Sequence, residues 1–86
     1  MKVEGKLFRA NWVLQTATVE EPESDLRFSA RLERCLIALC HQLEIPVPLW
    51  MNKNTREFAR FHQTVFPAEQ FTEPVHFDRF QIRWIE

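Results

Sequence analysis

Apolar and polar residues alternate along this chain with two different periods. Near its end, Phe80, Ile82 and Trp84 alternate with Arg79, Gln81 and Arg83. A period of two marks a strand with one buried and one wet face. The pattern runs to within one residue of Glu86, so the chain is expected to finish inside a sheet. At the other end, residues 2–9 and 12–20 read as a hairpin. Val3, Leu7 and Phe8 face Val13, Leu14, Ala17 and Val19 across a turn at Ala10-Asn11. Asn accepts the left-handed backbone of a tight turn, and Thr16, Thr18 and Val19 favour a strand by type. The register stays open: a two-residue turn opposes Leu7 to Leu14, whereas a three-residue turn opposes Val3 to Val19 and Gly5 to Ala17.

Between these segments the period becomes 3.6. Phe28, Leu32, Cys35, Leu36, Leu39 and Leu43 fall on one arc of roughly 100°, which predicts a helix over residues 25–44. Ser24 or Asp25 is the expected cap, and the acidic run Glu20-Glu-Pro-Glu-Ser-Asp25 suits the positive end of that helix. Pro46 and Pro48 end it. A shorter helix is predicted over residues 54–64, with Asn54 and Glu57 at capping-box spacing and Phe58, Phe61 and Val65 as its apolar side. Pro67 closes it, and residues 66–75 read as a loop anchored by Phe66 and Phe71. The order is β-β-α-α-β. It predicts an α+β fold: a small, mainly antiparallel sheet of hairpin plus C-terminal strand, packed by one long and one short helix.

Composition bounds what such a fold can do. Eighty-six residues make a single domain, 1–86, with a modest core. Eight Phe and three Trp, with no Tyr, supply much of it, since each buries roughly 150–250 Å². The formal net charge of −1 provides no field for DNA or an anionic membrane. Apolar runs are far too short to span a bilayer, and Met1-Lys2-Val3-Glu4-Gly5-Lys6 lacks a signal-peptide core. A cytoplasmic protein is expected. Cys35 and Cys40 sit roughly 140° apart around one helix, so an intrachain disulfide between them is not expected.

The single glycine, Gly5, is the sharpest exclusion. Phosphate-binding loops, dinucleotide fingerprints and nucleophile elbows need glycines where the backbone approaches a ligand or turns sharply, and none fits here. Gly5 lies in a predicted strand, where it marks a bulge or a close contact with a neighbouring side chain, an aromatic among the candidates. Ser24 and Ser29, the only serines, lie where capping is the ordinary role.

Three groups of residues remain as candidates for function. Cys35, Cys40, His41, His62 and His76 lack metal-ligand spacing, so neither metal nor cofactor is expected. A histidine acting with Asp78 or Glu57 would make a small enzyme, but no catalytic constellation is readable. Arg27, Arg31 and Arg34 line one flank of the long helix and, with Arg56 and Arg60 or Arg79 and Arg83, offer a phosphate or nucleic-acid site. Nearby Glu33, Glu44 and the acidic run favour internal pairing instead, and alternation separates Phe80, Ile82 and Trp84 from the strand arginines. Ile37 projects opposite the core arc; with Trp50 and Arg60 it forms the expected protein interface. The edges of a short sheet are a second adhesive resource, the terminal strand being either a guarded edge or a pairing strand in a dimer.

The stretch Ile45-Pro-Val-Pro-Leu-Trp-Met-Asn-Lys-Asn54, with Glu57-Phe58, Arg60-Phe61 and the ending Phe77-Asp78-Arg79-Phe80 and Gln81-Ile82-Arg83, resembles a family of short bacterial proteins of the anaerobic Gram-positive type with no assigned function. The hairpin start, with Gly5 and Asn11, is similar too. The resemblance covers most of the chain and implies a free-standing small bacterial domain, but no activity, cofactor or site.

The expectation is therefore a small domain acting through a protein partner or a second copy of itself, with nucleic-acid binding through Arg27, Arg31 and Arg34 and histidine catalysis as alternatives. Deleting residues 80–86 is expected to abolish folding. Loss of the cooperative thermal transition is the readout, and a truncated chain that still melts cooperatively would show that the terminal alternation is no strand.

Overall fold

The hairpin forms where the alternation places it. In a computed structural model describing residues 1–86, β1 (Lys2–Arg9) and β2 (Trp12–Glu20) pair antiparallel. The two candidate registers each hold over part of its length. At the tip the turn is two residues long, with Arg9 opposite Trp12 and Phe8 opposite Val13. The register then shifts, so that Leu7 faces Gln15, Gly5 faces Ala17 and Val3 faces Val19. Leu14 is the extra residue of this bulge, and it restores a buried pairing that the tight turn alone would misalign.

The left-handed turn residue is Ala10, with φ 51°, and not Asn11. The loop entering the last strand holds it there. Asp78 accepts from the Ala10 N–H, and the Arg79 guanidinium donates to the Ala10 carbonyl at 3.1 Å. Arg79 also lies over the Phe8 ring, 4.2 Å from its centroid. Arg9 donates to the His76 carbonyl.

The last strand, β4 (Arg79–Trp84), pairs antiparallel with β1, opposing Ile82 to Gly5 and Phe80 to Leu7. It begins three residues after His76, which lies in the preceding loop. It is not an edge. A further strand, β3 (Gln63–Pro67), pairs along its other side, giving the antiparallel order β2-β1-β4-β3. β3 occupies the end of the expected second helix and the start of the expected loop. Its Thr64 and Phe66 point into the core while Gln63 and Val65 are only partly buried, a period of two too short to stand out beside the helix pattern. Pro67, which lacks an N–H, is tolerated on an outer strand.

Both helices cover one face of this sheet. Helix α1 (Phe28–Leu43) packs against β1 and β2 through buried Leu32, Cys35, Leu36, Leu39, Cys40 and Leu43. It starts after extended Arg27, and neither Ser24 nor Asp25 caps it; the Ser24 hydroxyl accepts from Leu26 N–H within the preceding bend. Left-handed Glu44 ends it, and the Ile45 N–H reaches back to the Cys40 carbonyl at 3.0 Å, a common helix stop. Helix α2 (Asn52–Phe61) packs against β3. Met51 is its N-cap residue, which moves Asn54 from the expected cap into the first turn. His62, with φ 57°, closes α2 and admits β3.

Gly5 marks a close approach and not the bulge. A Cβ built on it would lie 2.9 Å from the Phe80 ring and 3.3 Å from the Leu39 side chain. Only a residue without a side chain lets the ring and α1 settle against the β1 backbone. The opposite face of the sheet is wet, and there Glu4 lies 3.8 Å from Lys6 and 3.5 Å from Arg83.

The tip geometry generates a prediction. Left-handed backbone costs a residue with a Cβ about 1–2 kcal/mol, so Ala10→Gly is expected to raise stability by roughly 0.5–1 kcal/mol after the extra chain entropy of glycine. Removing the clamp with Asp78→Ala is expected to lower it by roughly 1 kcal/mol. Urea unfolding checks both signs, and a stabilising Asp78→Ala would refute the clamp.

Candidate functional site

The two helices lean on opposite halves of the sheet, α1 over β1 and β2 and α2 over β3. Side chains fill the gap between them only in part, leaving a groove of about 560 Å³. Its walls are Leu32, Leu36 and Ile37 of α1, Phe58 and Ala59 of α2, and Val47, Pro48 and Trp50 from the connection, with Phe28 at one end. Ser29, Glu33 and Thr55 supply the few polar groups. Phe28 is 42% exposed, Ile37 48%, Val47 47% and Trp50 38%, so four large apolar side chains meet water along one concavity.

Phe28 belongs to this groove and not to the closed core in which the helical arc placed it. Its ring lies 5.1 Å from Trp84 and 6.2 Å from Phe58. Trp50 is fixed by a 2.8 Å hydrogen bond from its indole N–H to the Thr55 hydroxyl and by rings at 5.7 Å (Phe66) and 6.4 Å (Phe58). This anchoring makes the wall preformed. Ile37 and Trp50, two of the three residues expected at an interface, line the same groove. Arg60 does not. It lies on α2 with its guanidinium 5.4 Å from the Phe61 ring, and Phe61 itself is exposed instead of forming the apolar side of α2.

A buried polar cluster sets the connection beneath the groove. Asn54 is fully buried, and its side-chain oxygen accepts from the Met51 N–H at 2.9 Å and from the Gln70 amide at 3.1 Å. Its own amide donates to the Thr64 hydroxyl at 2.7 Å and to the Val65 carbonyl at 3.3 Å. Thr64 in turn donates to Glu57 at 2.6 Å, and the Gln70 amide donates to the Leu49 carbonyl at 2.9 Å. A buried amide so paired avoids the desolvation cost of an unmet polar group. Three residues scattered over the sequence, Asn54, Thr64 and Gln70, build this cluster. The capping spacing of Asn54 and Glu57 was its only trace, and it suggested a different role.

The remaining candidates are dispersed. His62 meets Trp84 at one end of β4 in a tilted contact, with centroids 5.1 Å apart, whereas His76 lies beyond the other end, stacked against Phe77. His41 sits in the last turn of α1. The two acids that the sequence offers as their partners have other roles: Glu57 accepts from Thr64 and Asp78 from Ala10. Cys35 and Cys40 are free and buried. Burial, followed by the charge of Glu21, pushes the Cys35 thiol up, and burial pushes Cys40 up to about 12. Neither thiol offers a thiolate near neutral pH, and no three His, Cys, Asp or Glu side chains converge as metal ligands. Along the arginine flank, Arg34 pairs with Glu21 at 3.3 Å, as the acidic run led us to expect, while Arg27 precedes the helix and Arg31 is half-buried. No helix is long and apolar enough to cross a membrane.

No protein-family model, curated protein or solved structure matches the chain.

Proposed function

We propose that the chain is a protein-binding module that takes one face of an amphipathic helix from a partner protein into the groove between α1 and α2. The observation that carries this reading is the exposure of Phe28, Ile37, Val47 and Trp50 side by side over one concavity. Single exposed apolar residues are ordinary, but a preformed apolar groove is a docking feature. Two flanking helices suit a third helix that inserts apolar side chains at successive turns. Glu33 at the rim forms no ion pair within the chain, which favours a lysine or arginine flanking the inserted side chains. Nucleic-acid binding is the weaker reading, because Arg34 is engaged by Glu21 and the chain carries no net positive charge.

Selection from a library of displayed helical peptides, followed by titration of Trp50 fluorescence, tests the proposal. The expected ligands carry apolar residues at i, i+3 or i+4 and i+7 beside a basic residue, and Ile37→Glu weakens them at least about tenfold while the domain stays folded. Arg60→Ala, outside the groove, leaves binding unchanged. Selection that yields no such peptides, or peptides bound equally by Ile37→Glu, would overturn the reading.

A further inference from the structure

The two outer strands of the sheet are protected very differently. β3 is five residues long and ends in Pro67, and short length and proline both discourage pairing with another chain. β2 runs nine residues, and from Trp12 to Val19 it contains neither a charge nor a proline. Of its nine residues only Val19 is buried. β2 has a neighbour on one side alone, so its outward backbone N–H and C=O groups lack strand partners. The bulge at Leu14 is its one irregularity, and the stretch from Gln15 to Val19 beyond it stays regular.

Charge lies at the two ends of this strand with opposite sign. The hairpin tip carries Arg9, with Arg79 and Asp78 bound to it, two cations against one carboxylate. The far end runs into Glu20, Glu21 and Glu23, of which Glu21 is paired with Arg34 and the other two carboxylates keep this end negative. Two copies side by side and antiparallel would bring each basic tip next to the other's acidic end, whereas a parallel pairing would set acid against acid. Thr16, the central residue of β2, lies at the twofold axis of the symmetric arrangement, with uncharged residues on either side.

We infer that β2 is a self-pairing edge, on which a second copy of this chain docks antiparallel to join two sheets into one. The occupant is the same chain because one strand supplies both the unpaired backbone and the complementary ends, as a twofold interface requires. This surface is separate from the groove, so Ile37→Glu is expected to leave self-association unchanged, and failure of either reading leaves the other standing.

Sedimentation equilibrium from low micromolar to millimolar protein tests the inference, read beside amide hydrogen exchange. The expected result is a dimer that weakens with added salt, with β2 amides better protected at high concentration. Thr16→Glu is the discriminating variant. It places a carboxylate opposite Lys6 within the chain, a favourable pair, but opposite itself across the dyad. It is expected to weaken the dimer roughly fivefold while the monomer melts as before. A monomer throughout the range, a dimer indifferent to Thr16→Glu, or a dimer whose β2 amides gain no protection would each overturn the proposal. So would β2 amides protected only by an added extended peptide of another protein.

Discussion

The absence of one side chain sets the architecture. Gly5 lies on a central strand, with Phe80 and Leu39 seated where its Cβ would be. Phe80 belongs to the neighbouring central strand and Leu39 to the long helix, so this contact joins three elements at one point. An interior this tight has few alternative arrangements, because close-packed cores tolerate extra atoms poorly. From Phe80 the packing continues through rings. Phe66 lies 5.8 Å away, Trp50 lies 5.7 Å beyond it, and Trp50 in turn meets Phe58. The groove wall is therefore the far end of a series of contacts that begins at the glycine.

Two polar systems fix what apolar packing leaves free. The Asn54 cluster ties the first turn of α2 to β3 and to the 3-10 turn at Ala68–Gln70 through hydrogen bonds between segments that lie apart in the sequence. At the other end of the sheet, Asp78 and Arg79 hold both polar groups of Ala10. That clamp explains how a residue with a Cβ occupies a position that ordinarily favours glycine. A chain with a single glycine has to solve its tight turn with side chains instead.

The parts of the fold that sequence alone revealed are those with a long, unbroken period. The hairpin, α1 and the terminal strand all carry enough repeats for the pattern to exceed noise. β3 does not: five residues yield two inward positions, Thr64 and Phe66, and the preceding helical pattern absorbs them. Caps were poorly legible because Ser, Asp and Asn suit several local roles; Asn54 proved to be a buried hub, and Ser24 serves a bend. The groove was half visible. Ile37 stood out as apolar on a polar side, and Trp50 followed as an expected anchor. Phe28 was hidden, because its helical angle matches the core residues while its position at the first turn of α1 carries it past the sheet to the groove mouth. Whether helices diverge depends on which strands they cover, which no local pattern encodes.

Groove and architecture thus share one origin, since the strands that seat α1 and α2 apart also leave the gap between them open. The most direct test of that account is a double-mutant comparison at its root, measured by denaturant unfolding. Gly5→Ala alone is expected to cost about 1–3 kcal/mol, because the added methyl meets the Phe80 ring. In a Phe80→Leu background the ring edge is gone, and the same substitution is expected to cost less than about half as much. An equal cost in both backgrounds would contradict the claim that the glycine exists to seat that ring.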